Sequence, residues 1–204
     1  MLTLYGICAS RAFRNLWLLE ELGLDYHQVP VDYRDGGAET PELLALNPNG
    51  RIPVLTDGEL VLYESMAINL YLASRYGGDS GLWPAEPHRQ GLTYQWSFWV
   101  MGEVEQALLM VLMHKRVLPE ARRDAQKLAR NTGLLQRPFA VLDQSLAEQD
   151  WLLGDAFTLA DLNVAAVLSW ARAARMDLSA YPHLTSWVKA AMARPAFRRA
   201  SRKP

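Results

Sequence analysis

The stretch NPNGRIPVLTDGELVLYES, residues 47–65, decides the fold. Its centre, Asp57-Gly58, tolerates positive φ at both positions and separates two short runs of strand-forming residues, which predicts a β-hairpin. Upstream of the hairpin, Ile52-Pro53 stands at the start of a strand. An X-Pro bond there is a candidate cis peptide, a geometry that turns the amide and carbonyl of Ile52 toward an open edge. Downstream, Glu64-Ser65 opens the helix SMAINLYLASRY, with Ser65 as the expected cap and Gly77-Gly78 as its stop. The free N–H groups and positive dipole end of that helix suit a carboxylate. Together these features hold a short extended peptide, paired through its backbone at the middle and anchored by an anion at one end.

Toward the N-terminus the pattern alternates. LTLY reads as a strand, and SRAFRNLWLLEEL as a helix with Ala12, Leu16 and Leu19 on one face, ended by Gly23. HQVPVDY reads as an edge strand, since Pro30 has no N–H for a ladder, and PELLALNP reads as a short helix. The order β-α-β-α-β-β-α is that of a thioredoxin-like domain over residues 1–77. A Gly/Pro-rich linker, 78–87, follows. Residues 88–204 carry helical patterns without a convincing strand, so the second domain is expected to be all-helical. Thr158 and Asp161 form a capping box there, with Phe157 and Leu162 at the staple positions.

Composition narrows the function. The 204 residues are 50% hydrophobic and 21% charged, with a net charge of −1, which offers nucleic acid or an anionic membrane no electrostatic attraction. No run has the length and apolarity to span a bilayer, and the N-terminus lacks a secretion signal, so a cytoplasmic location is expected. Cys8 is the single cysteine, which rules out an intrachain disulfide, a thiolate zinc cluster and a C-x-x-C redox pair. Nor are the four histidines, at 27, 88, 114 and 183, spaced as metal ligands.

The segments SRAFRNLWLLEELGL, NPNGRIPVL, LYESMAINLYLASRY, FTLADLNVAAV and YPHLTSWVKAAMARPAF, with the linker, resemble the cytosolic glutathione transferases in order and over nearly the whole chain. The resemblance implies a thioredoxin-like glutathione-binding domain and an all-α domain that shapes a site for a hydrophobic electrophile. It also implies a homodimer with active sites along the subunit cleft, and glutathione as cosubstrate without a metal. On this chain the family's cis-proline corresponds to Pro53 and its backbone contact to glutathione to Ile52. The acidic residue and serine that hold the γ-glutamyl end correspond to Glu64 and Ser65. Arg51 stands where a polar residue reaches the glycyl carboxylate.

A free thiol has a pKa of about 8.5 and is only slightly ionised at neutral pH. Lowering it by about two units requires roughly 2.7 kcal/mol of anion stabilisation. One hydrogen bond to a charged group supplies about 1.5–3 kcal/mol, and a helix N-terminus about 0.3–1 kcal/mol. One hydroxyl at the start of the first helix therefore suffices. In LYGICASRAF, residues 4–13, the expected donor is Ser10, five positions after strand residue Tyr5, the spacing of serine-type members and of bacterial cysteine-type members. Tyr5 is the alternative, at the position of the tyrosine-type phenol, although a strand aromatic packed in the core is the simpler reading. Cys8 implies a mixed-disulfide reductase if it is the functional group, but it lies two residues before the expected position and reads as a small hydrophobe. Glutathione S-conjugation is thus the expected activity. A glutathione-dependent reductase or peroxidase and a non-catalytic binding protein are the rivals. Arg11 is near enough to assist, and Trp99, Met101 and Glu103 fall on the helix expected to wall the electrophile pocket. The basic tail RPAFRRASRKP reads as a solvated helix end.

Overall fold

The computed structural model describes residues 1–204, apart from the side chain at position 79. It divides into two compact units, Met1–Trp83 with Ala193–Pro204, and Pro84–Met192.

In the first unit, β1 (Leu2–Tyr5), β2 (Tyr26–Val29), β3 (Val54–Asp57) and β4 (Leu60–Tyr63) form one sheet in the order β2-β1-β3-β4. β1 and β2 are parallel, and the other two pairings are antiparallel. The expected edge strand is present but ends at Val29, because Pro30 cannot donate to the ladder. The hairpin turns at Gly58, whose φ of 61° is the left-handed value that Asp-Gly predicts. Leu2 and Leu4 are buried on one face of β1. Tyr5, half a period away, packs instead with an apolar cluster of Ala38, Leu43 and Val54, joined by Val31, Leu46 and Ile52.

Helices α1 (Phe13–Leu22), α2 (Pro41–Leu46) and α3 (Ser65–Tyr76) complete the thioredoxin-like pattern, and α1 packs on α3. The α-helical part of α1 begins three residues later than SRAFRNLWLLEEL predicts, after a tighter turn in which the Phe13 amide bonds the Ser10 carbonyl. Gly23, with φ 63°, ends it as expected.

The second unit is helical, as predicted, with one isolated bridge between Trp151 and Gly154. Helix α4 (Pro87–Trp99) continues through a π-helical turn, Val100–Glu105, into α5 (Gln106–Leu112) and a second π-helical turn, Met113–Val117. Then come α6 (Ala125–Leu134), α7 (Gln136–Ser145), α8 (Leu159–Ala173) and α9 (Pro182–Ala193). The capping box at α8 is formed. Its Asp161 is fully buried and accepts from the amides of Leu152 and Thr158, the Thr158 hydroxyl and the Trp187 indole, at 2.8–3.0 Å. One carboxylate thereby ties the start of α8 to the preceding loop and to α9.

Two expectations need correction. The last residues, assigned above to a helical domain of 88–204, belong to the first unit: α10 (Pro195–Ala200) packs on α1. The tail is largely exposed, as expected, but it is also anchored, because Arg194 pairs with Glu21 and Arg199 with Glu20 at 2.7 and 2.8 Å. A local sequence pattern cannot reveal acidic partners that lie more than 170 positions away. The linker, too, is partly structured, with a 3-10 turn over Gly78–Ser80 and a buried Leu82. Among the described residues no helix is long and apolar enough to cross a membrane.

Candidate active site

Strand register gathers the site. Tyr5 pairs with Val54, and Val54 with Tyr63, so these three residues lie side by side across β1, β3 and β4. The next positions at that end of the sheet are Gly6, Pro53 and Glu64. Three separate segments therefore converge: the loop leading to Ser10, the Ile52-Pro53 turn and the start of α3.

The Ile52–Pro53 peptide is cis, as the sequence predicts. Pro53 is buried, Ile52 half-buried and Arg51 exposed. The approach to this turn is organised by Asn47, a buried residue outside the sequence expectation. Its side-chain amide donates to the Arg51 carbonyl at 2.7 Å, while its side-chain oxygen accepts the Asn49 amide at 3.1 Å.

At the third segment the expected cap is corrected. Glu64, not Ser65, is the residue before the helix, with φ 72° and no side-chain capping bond. A positive φ at a non-glycine residue is uncommon and is found where surrounding structure holds it. Here the Glu64 carbonyl accepts the Ile68 amide at 3.0 Å, and its side chain remains exposed. Ser65 becomes the first helical residue and is 4% exposed.

Beneath Ser65 lies a buried polar network that the sequence reading missed. Arg14 Nη1 donates to Ser65 Oγ at 3.1 Å, and Asn15 Nδ2 donates to the Ser65 carbonyl at 2.8 Å. Asn15 Nδ2 also reaches Asn69 Oδ1 at 2.7 Å, and Asn69 Nδ2 donates to the Arg14 carbonyl at 3.2 Å. Arg14, Asn15 and Asn69 are at most 1% exposed. Polar side chains buried this deeply are kept by their bonds, and these bonds fasten the first turn of α1 to the first turn of α3. The available signal was Asn15, a polar residue three after Ala12 and four before Leu19 on the apolar stripe.

Gly6 fits the loop to its neighbours. Its φ is 144°, and a Cβ there would lie 2.6 Å from the Ala12 Cβ and within 3.7 Å of the Ile52 side chain. Glycine alone permits that approach. Four residues on, Ser10 Oγ donates to the Ile7 carbonyl at 2.7 Å and accepts the Ala12 amide at 3.1 Å. The hydroxyl thus caps the opening turn of α1 while remaining partly accessible. Arg11 is exposed and Cys8 half-buried. Trp99, Met101 and Glu103 belong to the helical unit, where Trp99 stands edge-on to Trp96 at 5.1 Å and Glu103 is exposed. Among the described residues no cluster of histidine, cysteine or carboxylate side chains is arranged to hold a metal.

The cis Ile52-Pro53 turn, the start of α3 and the capping hydroxyl of Ser10 thus share one end of the sheet. Comparison with known proteins identifies the family. Residues 1–74 match the model of the glutathione S-transferase N-terminal domain, and residues 101–195 that of the C-terminal domain. Glutathione S-transferase 3 of Zea mays is 38% identical over 97% of this chain and 92% of its own length. The disulfide-bond oxidoreductase YfcG of Escherichia coli is 33% identical over 96% and 92%. A theta class glutathione S-transferase from Xanthomonas axonopodis pv. citri, solved with glutathione bound, superposes with a TM-score of 0.90 at 32% identity, covering 100% of this chain and 98% of the other.

Proposed function

The chain belongs to the glutathione S-transferase family and is a glutathione transferase, and from that premise we propose how its residues serve the reaction. Glutathione lies extended along the Ile52-Pro53 edge, with the Ile52 backbone against its cysteinyl part. Its γ-glutamyl end is held by Glu64 and Ser65, and Arg51 reaches its glycyl carboxylate. Ser10 donates a hydrogen bond to the glutathione thiolate formed when the thiol proton passes to solvent. The sulfur attacks an electrophilic carbon of a hydrophobic small molecule, displacing a leaving group or adding to a double bond or strained ring. The attacking atom belongs to the cosubstrate, so the protein contributes binding and electrostatics, not a covalent nucleophile. One observation carries this reading: the register that puts Gly6, Pro53 and Glu64 at one end of the sheet, with α1 and α3 bolted together behind them.

The Ser10 hydroxyl has a single proton, which it donates to the Ile7 carbonyl. Turning it toward sulfur exchanges a neutral hydrogen bond of about 0.5–1.5 kcal/mol for a charged one of about 1.5–3 kcal/mol. The net gain is about 1–1.5 kcal/mol, and the helix start adds about 0.3–1 kcal/mol. Together these lower the thiol pKa by about one to two units. The Ala12 amide continues to bond the oxygen throughout, so the loop need not rearrange.

The enzyme is proposed to act as a cytoplasmic homodimer. The single cysteine suits a reducing compartment, and exposed Tyr94 and Phe98 on α4 and Leu60, Val61 and Tyr63 on β4 offer apolar surface to a second copy. A second reading, reduction of disulfides through Cys8, is favoured by the likeness to the oxidoreductase. Steady-state assays with a chromogenic aryl halide and with a glutathione mixed disulfide separate the two. Ser10→Ala is expected to lower kcat/KM for conjugation roughly five- to tenfold, the loss of one net hydrogen bond of this size, while Cys8→Ala leaves it unchanged. Disulfide reduction abolished by Cys8→Ala alone, with conjugation indifferent to Ser10, would transfer the function to the cysteine.

A further inference from the structure

The final residues reach the loop that carries Ser10. Beyond Arg194, which holds Glu21 with both Nε and Nη2 at 2.7 and 2.8 Å, the ring of Phe197 meets Phe13 and Trp17 edge-on at 5.3 and 4.9 Å. Glu20 then accepts from Arg199 Nε at 2.8 Å and from Lys203 Nζ at 3.0 Å, and the same ammonium sits 5.1 Å from the centre of the Tyr26 ring. The backbone oxygen of Pro204 accepts the Cys8 amide at 2.7 Å and Gln28 Nε2 at 3.1 Å. Gln28 Nε2 also donates to the Gly6 carbonyl at 3.0 Å.

The position of that last contact matters. The Cys8 N–H and the Ile7 carbonyl are two ends of one peptide unit, which is planar and rigid. Pro204 holds its N–H, and the Ser10 hydroxyl donates to its carbonyl. A tilt of the plane at one end therefore moves the hydrogen-bond partner of Ser10 at the other. We propose that residues 201–204 form a positioning strap that fixes the Ile7–Cys8 peptide plane and so sets the orientation of the Ser10 hydroxyl toward the thiol. This rests on the assignment of Ser10 as the thiolate donor. The strap residues are positioning residues, not part of the proposed glutathione contacts. Their route to the reaction runs through the loop, and their hold combines the Lys203–Glu20 ion pair, next to that of Arg199, with the hydrogen bonds to Pro204.

Three proteins are compared: the full chain, a variant lacking residues 201–204, and the full-length double variant Arg199→Gln/Lys203→Gln, which keeps every residue in place if the truncation folds poorly. Amide hydrogen exchange at Cys8 reports the contact, and thiolate absorbance of bound glutathione reports the site. Both variants are expected to exchange the Cys8 amide at least about tenfold faster, the sign of a local opening. They are also expected to raise the thiol pKa toward the free value and to lower kcat about three- to tenfold with the glutathione KM within about twofold. Unchanged Cys8 exchange would overturn the contact. Faster exchange with an unmoved thiol pKa would overturn the positioning role. A Ser10→Ala enzyme with the wild-type pKa would instead overturn the donor assignment, and it is measured in the intact strap background to keep the two failures apart.

Discussion

Ser10 carries two duties with one oxygen. As a cap it accepts the Ala12 amide while its one proton goes to Ile7, and in the proposed mechanism that proton turns to the glutathione thiolate. Its place as a cap was legible from the sequence, and the proposed donor role asks for a hydroxyl at the same helix start. The occupied proton was not legible, and it reduces the expected thiol shift from the two units a free donor supplies to about one to two. Tyr5 illustrates the opposite case: its alternating strand position was readable, but only the packing with Ala38, Leu43 and Val54 reveals where its ring goes. Gly6 is the residue on which the loop's path depends. Replacing it with alanine forces a side chain into a φ of 144° and against Ala12, a combination of backbone strain and overpacking that costs about 2–5 kcal/mol. Urea unfolding of Gly6→Ala is the check, and a midpoint equal to that of the wild type would contradict this account of the loop.

Elements read well where their ends are locally encoded. The Asp57-Gly58 hairpin, the Gly23 stop and the Thr158–Asp161 capping box all depend on residues within a few positions of one another. The helix start at Glu64 departed from expectation because its backbone is set from outside, by α1 through Arg14 and Asn15 as they hold Ser65. The far end of the same helix is tied to the hairpin. The hydroxyls of Tyr71 and Tyr76 both donate to Asp57 Oδ2, the first at 2.7 Å. Those phenol donors, Tyr76 foremost, hold the Asp57 carboxyl below its usual range. Donation to Asp57 pushes Tyr71 up from its usual 10 to about 12. The sign of the pH effect follows. The Tyr71 contribution to stability is whole below pH 10 and is lost as pH rises through about 12. The Asp57 contribution is present above its unfolded pKa and is lost as pH falls through the lowered folded value. Unfolding free energies measured from neutral to strongly alkaline pH should therefore fall less steeply above pH 10 in Tyr71→Phe than in the wild type. Parallel curves would remove Tyr71 from the clamp.

For the whole molecule, the two-part plan of a thioredoxin-like unit and a helical unit was legible from patterning, because strand and helix periods differ and the Gly/Pro-rich stretch separates them. The return of residues 193–204 to the first unit was not, since it rests on Glu20 and Glu21 meeting Arg199, Lys203 and Arg194 across the length of the chain. The same limit hid Asn69 and Gln28: each is an ordinary polar residue until the fold brings its partner to it. The chemistry assigned to the enzyme nevertheless depends on a single polar contact to another molecule's sulfur. It is tested most directly by a pH titration of bound glutathione, followed through thiolate absorbance, in the wild type, Ser10→Ala and Tyr5→Phe. The account predicts a thiol pKa about one to two units below the free value of about 8.5 in the wild type and in Tyr5→Phe, and a return most of the way toward that value in Ser10→Ala. An unshifted wild-type thiol, or a shift that survives in Ser10→Ala and disappears in Tyr5→Phe, would contradict it.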